Sequence, residues 1–259
     1  MLTFSPCIEM FWHDVDFPAR IPRVGALGFT AWEFWSWWNK DLDAIERATK
    51  DTGLDVAACC VHTASADSGH SMLSSGGADP FVAAVKECIP VARILGCHRF
   101  IVTTGNALPD APREEQHRAC VKALRAAAPV AEDAGILLVL EPLNVLVDHA
   151  GYYLSSSAEG FQIVDEVRSP AVKLLFDVYH QQITEGNLTP NICTNIARIG
   201  HFHTANHPGR HELGRGEINY RHLLDRIRET GYDGYIGLEF SPSDAAATDA
   251  ILTSVRTML

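Results

Sequence analysis

No stretch of this chain stays apolar long enough to cross a membrane. Runs such as 136–140 are short beside the about 20 residues that a span takes. The N-terminus, Met1-Leu2-Thr3-Phe4-Ser5-Pro6, lacks a basic region followed by an apolar one, so no secretory signal is expected. Positive charge is scarce. The 21 Lys+Arg against 32 Asp+Glu leave a net charge of −11, which repels a phosphate backbone and argues against nucleic-acid binding. The seven cysteines are odd in number and include no C-x-x-C pair. That is the pattern of reduced, mostly buried thiols, and a cytoplasmic location is the expectation. Glycine-rich phosphate loops and low-complexity linkers are missing as well. Phosphorylated substrates are therefore disfavoured, and no composition break divides the chain into domains.

What is present is an alternation of short apolar runs and helical segments over 259 residues. Candidate strands end near Phe11, Trp35, Val61, Thr104, Glu141, Asp177, His203 and Phe240. Eight strands alternating with helices predict a parallel α/β architecture. At roughly 30 residues per unit the eight units use up the chain, so the expected fold is a single (β/α)8 TIM barrel spanning 1–259. The helix signals agree. Asn39 is the expected cap of a helix over 40–52 that Gly53 ends, and Asp79-Pro80 opens 81–95, with a kink at Pro90 and a stop at Gly96. Pro112 starts a helix that stops before Gly135, Ser155-Ser156-Ser157 precede one over 158–167, and Asn219 caps 220–230 ahead of Gly231. A glycine just past a helix supplies the left-handed conformation that terminates it. The connection 62–79, rich in Ser, Gly and His, is long for a compact domain. On a barrel it belongs to the C-terminal, catalytic face, where it is either a lid or a surface excursion.

Four consecutive strands end in residues that do not suit a packed core. Leu137-Leu138-Val139-Leu140 runs into Glu141, Leu174-Leu175-Phe176 into Asp177, Gly200-His201-Phe202 into His203, and Tyr235-Ile236-Gly237-Leu238 into Glu239. At the C-terminal mouth of a barrel such residues converge on the active site. Three carboxylates and one imidazole suit one divalent ion, Mg²⁺, Mn²⁺ or Co²⁺ before Zn²⁺, and their mutual repulsion is itself a reason for a cation. His201 lies two residues before His203, on the same side of the strand, and is expected in the layer beneath or near the metal's water. A 2-hydroxy carbonyl compound reacting at such a site passes a carbon-bound proton through a carboxylate and an enediolate. Trp32-Glu33-Phe34-Trp35-Ser36-Trp37-Trp38 holds four of the five tryptophans. It is either an aromatic wall of the pocket or a core strand running into a contact between copies, which would make a homo-oligomer. His62, after strand three, and Asn106, after strand four, are candidate pocket residues.

The pieces Leu140-Glu141-Pro142-Leu143-Asn144, Asp177-Val178-Tyr179-His180, Gly186-Asn187-Leu188-Thr189, His207-Pro208-Gly209-Arg210-His211-Glu212, Gly216-Glu217-Ile218-Asn219-Tyr220 and Gly231-Tyr232-Asp233-Gly234-Tyr235-Ile236-Gly237-Leu238-Glu239 resemble the hydroxypyruvate isomerases. These sit among the xylose-isomerase-like barrels, with ketose 3-epimerases, inosose dehydratases and endonuclease IV. The resemblance is dense from about Ile136 to Pro242. It implies that Glu141, Asp177, His203 and Glu239 hold one divalent metal, that Glu141 and Glu239 are also the acid/base pair, and that His180 and Arg210 contact substrate oxygens. His203 stands where hydroxypyruvate isomerases often carry Gln and 3-epimerases carry His, while Val147 stands where the epimerases carry a further Glu. The implied activity is isomerisation of hydroxypyruvate to tartronate semialdehyde or of a related small 2-hydroxy carbonyl compound. A ketose 3-epimerase, a cyclic-polyol dehydratase and a non-catalytic sugar-binding or assembly subunit are the alternatives. Arg210 either pairs with a substrate carboxylate, holds a sugar hydroxyl or pairs with Glu212, itself a candidate substrate contact. The endonuclease IV branch needs more His and Asp ligands than Arg210-His211-Glu212 offers after strand seven.

Overall fold

The computed structural model describes residues 2–62 and 71–258. Its strands are β1 (Thr3–Pro6), β2 (Ala31–Trp32), β3 (Asp55–Val56), β4 (Cys59–Cys60), β5 (Arg99–Val102), β6 (Leu137–Leu140), β7 (Val172–Asp177), β8 (Ile199–Thr204) and β9 (Tyr235–Leu238). Between and after them run helices α1 (Phe17–Ala26), α2 (Leu42–Thr52), α3 (Ala78–Leu95), α4 (Arg113–Ala134), α5 (Ser157–Val167), α6 (Val178–Thr184), α7 (Leu188–Asn195), α8 (Tyr220–Glu229) and α9 (Thr248–Arg256).

The strands pair parallel in the order β1-β9-β8-β7-β6-β5-β4, and β2 pairs with β3. Glu33 closes the ring beside β1: its N–H donates to Pro6 O at 3.0 Å, and its carbonyl accepts from Ile8 N–H at 2.9 Å. On the other side, Ala57 N–H donates to Trp32 O at 2.8 Å and Cys60 N–H to Trp35 O at 3.0 Å. So β3 and β4 are two pieces of the third expected strand, and the α/β TIM barrel stands with eight strand positions. The first two strands stop earlier than the sequence predicts, at Pro6 and Trp32 rather than near Phe11 and Trp35. Beyond Pro6 the chain turns, with Met10 N–H bonded back to Cys7 O at 2.9 Å.

Helix ends follow the expected chemistry with two corrections. Asp41, not Asn39, caps α2 by accepting from Ala44 N–H at 2.9 Å. The α3 helix starts at Ala78 after Gly77, so Asp79 and Pro80 lie in its first turn, and it runs on through Pro90. Gly53, Gly96 and Gly135 take φ of 66°, 63° and 65°, the left-handed stop that a side chain resists. Of the expected lid, 63–70 lies outside the described residues. Met72 and Leu73, just after it, are buried. Among the described residues no helix is long and apolar enough to cross a membrane, and all seven cysteines are free.

The longer strands bury both faces. One faces the helices: Phe202 packs between Phe176 and Tyr232, with ring centroids 6.2 Å and 5.0 Å away. The other fills the barrel, where Ala58, Ile101, Val139 and Leu175 make a separate buried cluster. The β7–β8 register slips at one point. Leu174 faces Ile199 but Leu175 faces His201, so Gly200 is the extra residue of a bulge. A Cβ on Gly200 would lie 2.8 Å from Val139 Cγ1, 2.9 Å from Leu137 Cδ2 and 3.0 Å from Lys173 Cβ. Gly200→Ala is therefore expected to cost about 1–3 kcal/mol of stability by overpacking, read as a lower denaturant midpoint. An unchanged midpoint would show that the bulge has room to spare.

Candidate active site

The bulge sets the level of the strand residues beyond it. Past Gly200, His203 stands beside Asp177 on one side and Gly237 on the other. Glu141 and Glu239 come one residue after their strands, each held by a last ladder bond: Glu141 N–H to Val102 O at 3.0 Å and Glu239 N–H to Thr204 O at 3.1 Å. Side chains alternate along a strand. Leu137, Val139 and Glu141 thus share one side of β6, and the third of them lands at the mouth of the barrel, above the filled interior.

Glu141, Asp177, His203 and Glu239 each offer a ligand atom, all within 4.8 Å of one another. All four residues are buried, the most accessible at 6%. His203 Nδ1 lies 3.1 Å from Glu141 Oε1 and 3.5 Å from Glu239 Oε2. Asp177 caps α6, its Oδ1 accepting from Tyr179 N–H at 2.7 Å and His180 N–H at 3.0 Å, which leaves Oδ2 for the cluster. Burial, then repulsion from Glu239, pushes Asp177 up to about 6. Burial also raises Glu141, with Glu239 and Asp177 adding to it. Burial opposes ionisation of Glu239 too, but His203 and Arg210 outweigh it and hold its carboxyl low. For His203 burial is overcome by Glu239 and Glu33, and the imidazole is held protonated. Carboxylates crowded out of water and leaning on a borrowed proton are a donor set short of positive charge. One divalent cation fits it, and the hard oxygen donors match Mg²⁺ or Mn²⁺ chemistry.

Beside the cluster, α6 brings up His180, fully buried. Asn144 fixes its tautomer. Asn144 Oδ1 accepts from Val147 N–H at 2.9 Å, so its amide nitrogen faces the other way and donates to Asp148 Oδ2 and His180 Nδ1, both at 2.7 Å. With Nδ1 accepting, the proton sits on Nε2. That atom is buried without a partner, 3.6 Å from Asp177 Oδ2. Burial, then Arg210, lowers His180 to about 3, so it is neutral and keeps a free N–H donor.

Arg210 reaches the same space from the loop after β8. Its guanidinium pairs with Glu239 Oε2 and stacks over the Tyr179 ring, 5.4 Å from the centroid. Its backbone sits at φ 54°, a left-handed conformation costing a non-glycine residue about 1–2 kcal/mol. The loop bears that cost in the conformation that aims Arg210 inward.

Other candidates are not drawn in. Glu212 does not pair with Arg210. Ser243 takes its carboxylate through N–H at 3.0 Å and Oγ at 2.6 Å, turning it to the surface. Asn106 is exposed, and its backbone bridges to Tyr152 instead. His62 stacks on Trp38 at 4.3 Å and 14°, an aromatic shelf instead of a place in the ionic cluster. His201 lies in the layer beneath, its Nε2 3.0 Å from Glu33 Oε2. The tryptophan stretch divides: Trp32 is core, Trp37 Nε1–H donates to Cys60 O at 2.8 Å, and Trp38 is partly exposed. Trp35 Nε1–H donates to Glu239 Oε1 at 2.7 Å. Glu33 and Asn144 were not singled out from the sequence, and Trp35 only as a member of the tryptophan stretch. The available signals were a lone Glu between Trp32 and Phe34, and the Asn three residues after Glu141.

The family model of the xylose isomerase-like TIM barrels matches residues 21–257. The chain belongs to that family. Among its xylose isomerase-like relatives, hydroxypyruvate isomerase of Escherichia coli (strain K12) is 30% identical over 244 residues, covering 93% of this chain and 94% of that one. The 2-oxo-tetronate isomerase of Cupriavidus necator is 31% identical over 245 residues, covering 93% and 94%. Of the solved structures, a Brucella melitensis protein described as an AP endonuclease, family 2, superposes with a TM-score of 0.92 at 27% identity, over 99% of both chains. This barrel is an enzyme of the isomerase class, which takes in epimerases.

Proposed function

We propose that residues 1–259 act as one barrel unit that isomerises a small 2-hydroxy carbonyl compound by proton transfer, with hydroxypyruvate and tartronate semialdehyde as the pair it serves. The observation that carries this reading is the pairing of Glu141 and Glu239 across one buried cluster, with the fixed cation Arg210 on Glu239. Glu141, Asp177, His203 and Glu239 would hold one divalent ion. When bound, that ion supplies Lewis-acid stabilisation of negative charge developing on substrate oxygen.

The chain's own residues do the rest. Arg210 lies against the cluster and offers a planar fork that matches a substrate carboxylate. His180 presents Nε2–H to a substrate oxygen, and Asn144 keeps that tautomer in place. Glu239, held ionised by the Arg210 guanidinium paired with it, is the base that takes the proton from C3 of hydroxypyruvate. Glu141, across the cluster from Glu239, is the acid facing the neighbouring carbon. A proton is delivered to C2, the C3 hydroxyl proton passes to the C2 oxygen, and the aldehyde is left at C3. Trp37, Trp38 and His62 form an aromatic flank near the mouth.

A net charge of −11 sets this chain against a DNA substrate, whatever the name of its Brucella neighbour. The test is a substrate panel followed by proton NMR in the presence of Mg²⁺ or Mn²⁺: hydroxypyruvate, a four-carbon 2-oxo acid with hydroxyls, and free ketoses. Turnover of the 2-oxo acids is expected. Inversion at C3 of a ketose with the acids untouched would make the chain an epimerase. Metal bound with no turnover of any compound would favour a non-catalytic binding subunit.

A further inference from the structure

Glu33 is a carboxylate that the proton-transfer scheme leaves unused. It is 1% exposed, at the end of β2 inside the barrel. Three donors converge on it. Ser5 Oγ–H donates to Oε2 at 2.6 Å, His201 Nε2–H to Oε2 at 3.0 Å, and His203 Nε2 stands 2.8 Å from Oε1. The last N–H is out of line with Oε1, yet neither atom has another partner among the described residues. These donors come from strands on both sides of β9, and Gly237 on β9 is what lets them meet. A Cβ at Gly237 would overlap Glu33 Oε1 and lie 2.6 Å from His203 Cδ2. A gap in the side-chain layer thus holds the contact between Glu33 and His203.

We propose that Glu33 is a positioning residue of the metal centre, holding His203 by Nε2 so that Nδ1 is the atom turned to Glu141, Asp177 and Glu239. This role rests on the metal centre of the proposed function. With no side chain at the flanking position on β9, Glu33 is the carboxylate that stands behind the ring at Nε2. A carboxylate behind a ligating imidazole fixes the tautomer and strengthens the donor nitrogen, and its loss generally costs about 10–100-fold in metal affinity. Ser5 and His201 are the outer anchors. They fill the other carboxylate oxygen, so Glu33 turns Oε1 toward His203.

The test is calorimetric titration of chelator-stripped protein with Mn²⁺, wild type against Glu33→Gln, with circular dichroism for folding and the visible spectrum of the Co²⁺-loaded forms for ligand geometry. Expected is Mn²⁺ binding roughly 10–100-fold weaker in Glu33→Gln, with an altered Co²⁺ spectrum and unchanged dichroism. A folded variant with affinity within about twofold of wild type and the same Co²⁺ spectrum overturns the proposal. Should Glu33→Gln not fold, nitrogen-15 NMR of the histidines in Mg²⁺-loaded wild type decides. His203 protonated at Nε2 supports the assignment, and protonation at Nδ1 overturns it. Wild type that binds no Mn²⁺ removes the metal centre itself and this role with it, a result distinct from equal binding by wild type and variant.

Discussion

Glu239→Gln is expected to lower kcat by about 10²–10⁴-fold, the range that a positioned acid/base group contributes, with the fold intact. The amide replaces a base that takes a proton with a group that cannot. Wild-type Glu239 accepts from Trp35 Nε1–H at 2.7 Å on one oxygen and pairs with Arg210 on the other. A glutamine can serve only one of these donors through its oxygen. The other then faces an NH2 group, so part of the loss reflects a disturbed Arg210 and will appear in KM. The division is measurable. If Glu239 moves the proton, kcat falls far more than KM rises; if it only tethers Arg210, the order reverses. Normal kcat in the variant would remove Glu239 from the acid/base role.

Stripping divalent ions is expected to abolish turnover and to lower the melting temperature together. Glu141, Asp177 and Glu239 crowd within one buried cluster. Without a cation their repulsion is relieved by the His203 proton and by Arg210, which the substrate needs. An ion at 100 times its dissociation constant contributes about 2.7 kcal/mol to stability. For a chain of this size that corresponds to roughly 5–10 °C in Tm. Addition of Mg²⁺ or Mn²⁺ should restore both readings in parallel. A melting curve and a rate that both ignore the chelator would contradict the metal centre.

The four clustered residues were legible because each closes an apolar run, where nothing but a mouth-side role suits it. Register then did the rest, since strands of a barrel bring their ends to one level. Glu33 was not legible for the opposite reason. Between Trp32 and Phe34 it reads as one turn of a core strand's alternation, and its partners Ser5, His201 and His203 come from strands far away in sequence. The loop residues are placed by other contacts. Glu212 sits two residues from Arg210, but a carboxylate on a loop goes to the nearest donors, and Ser243 supplies two. Asn106 follows β5 closely and still points to solvent, because its backbone is committed to Tyr152. Position after a strand fixes where a loop starts, not where its side chains end. Likewise Asn39 and Asp41 are both good caps, and only the observed start of α2 at Leu42 chooses between them.

The most direct measurement of the central claim, proton transfer through the Glu141/Glu239 pair, is the isomerisation of hydroxypyruvate in D2O followed by mass spectrometry and NMR. Solvent deuterium is expected on C2 of the tartronate semialdehyde formed, and on C3 of the hydroxypyruvate left behind, with both lost in Glu239→Gln. Product formed in D2O with no deuterium on any carbon would mean that the substrate's own hydrogen is carried from C3 to C2, and would contradict transfer shared between two carboxylates.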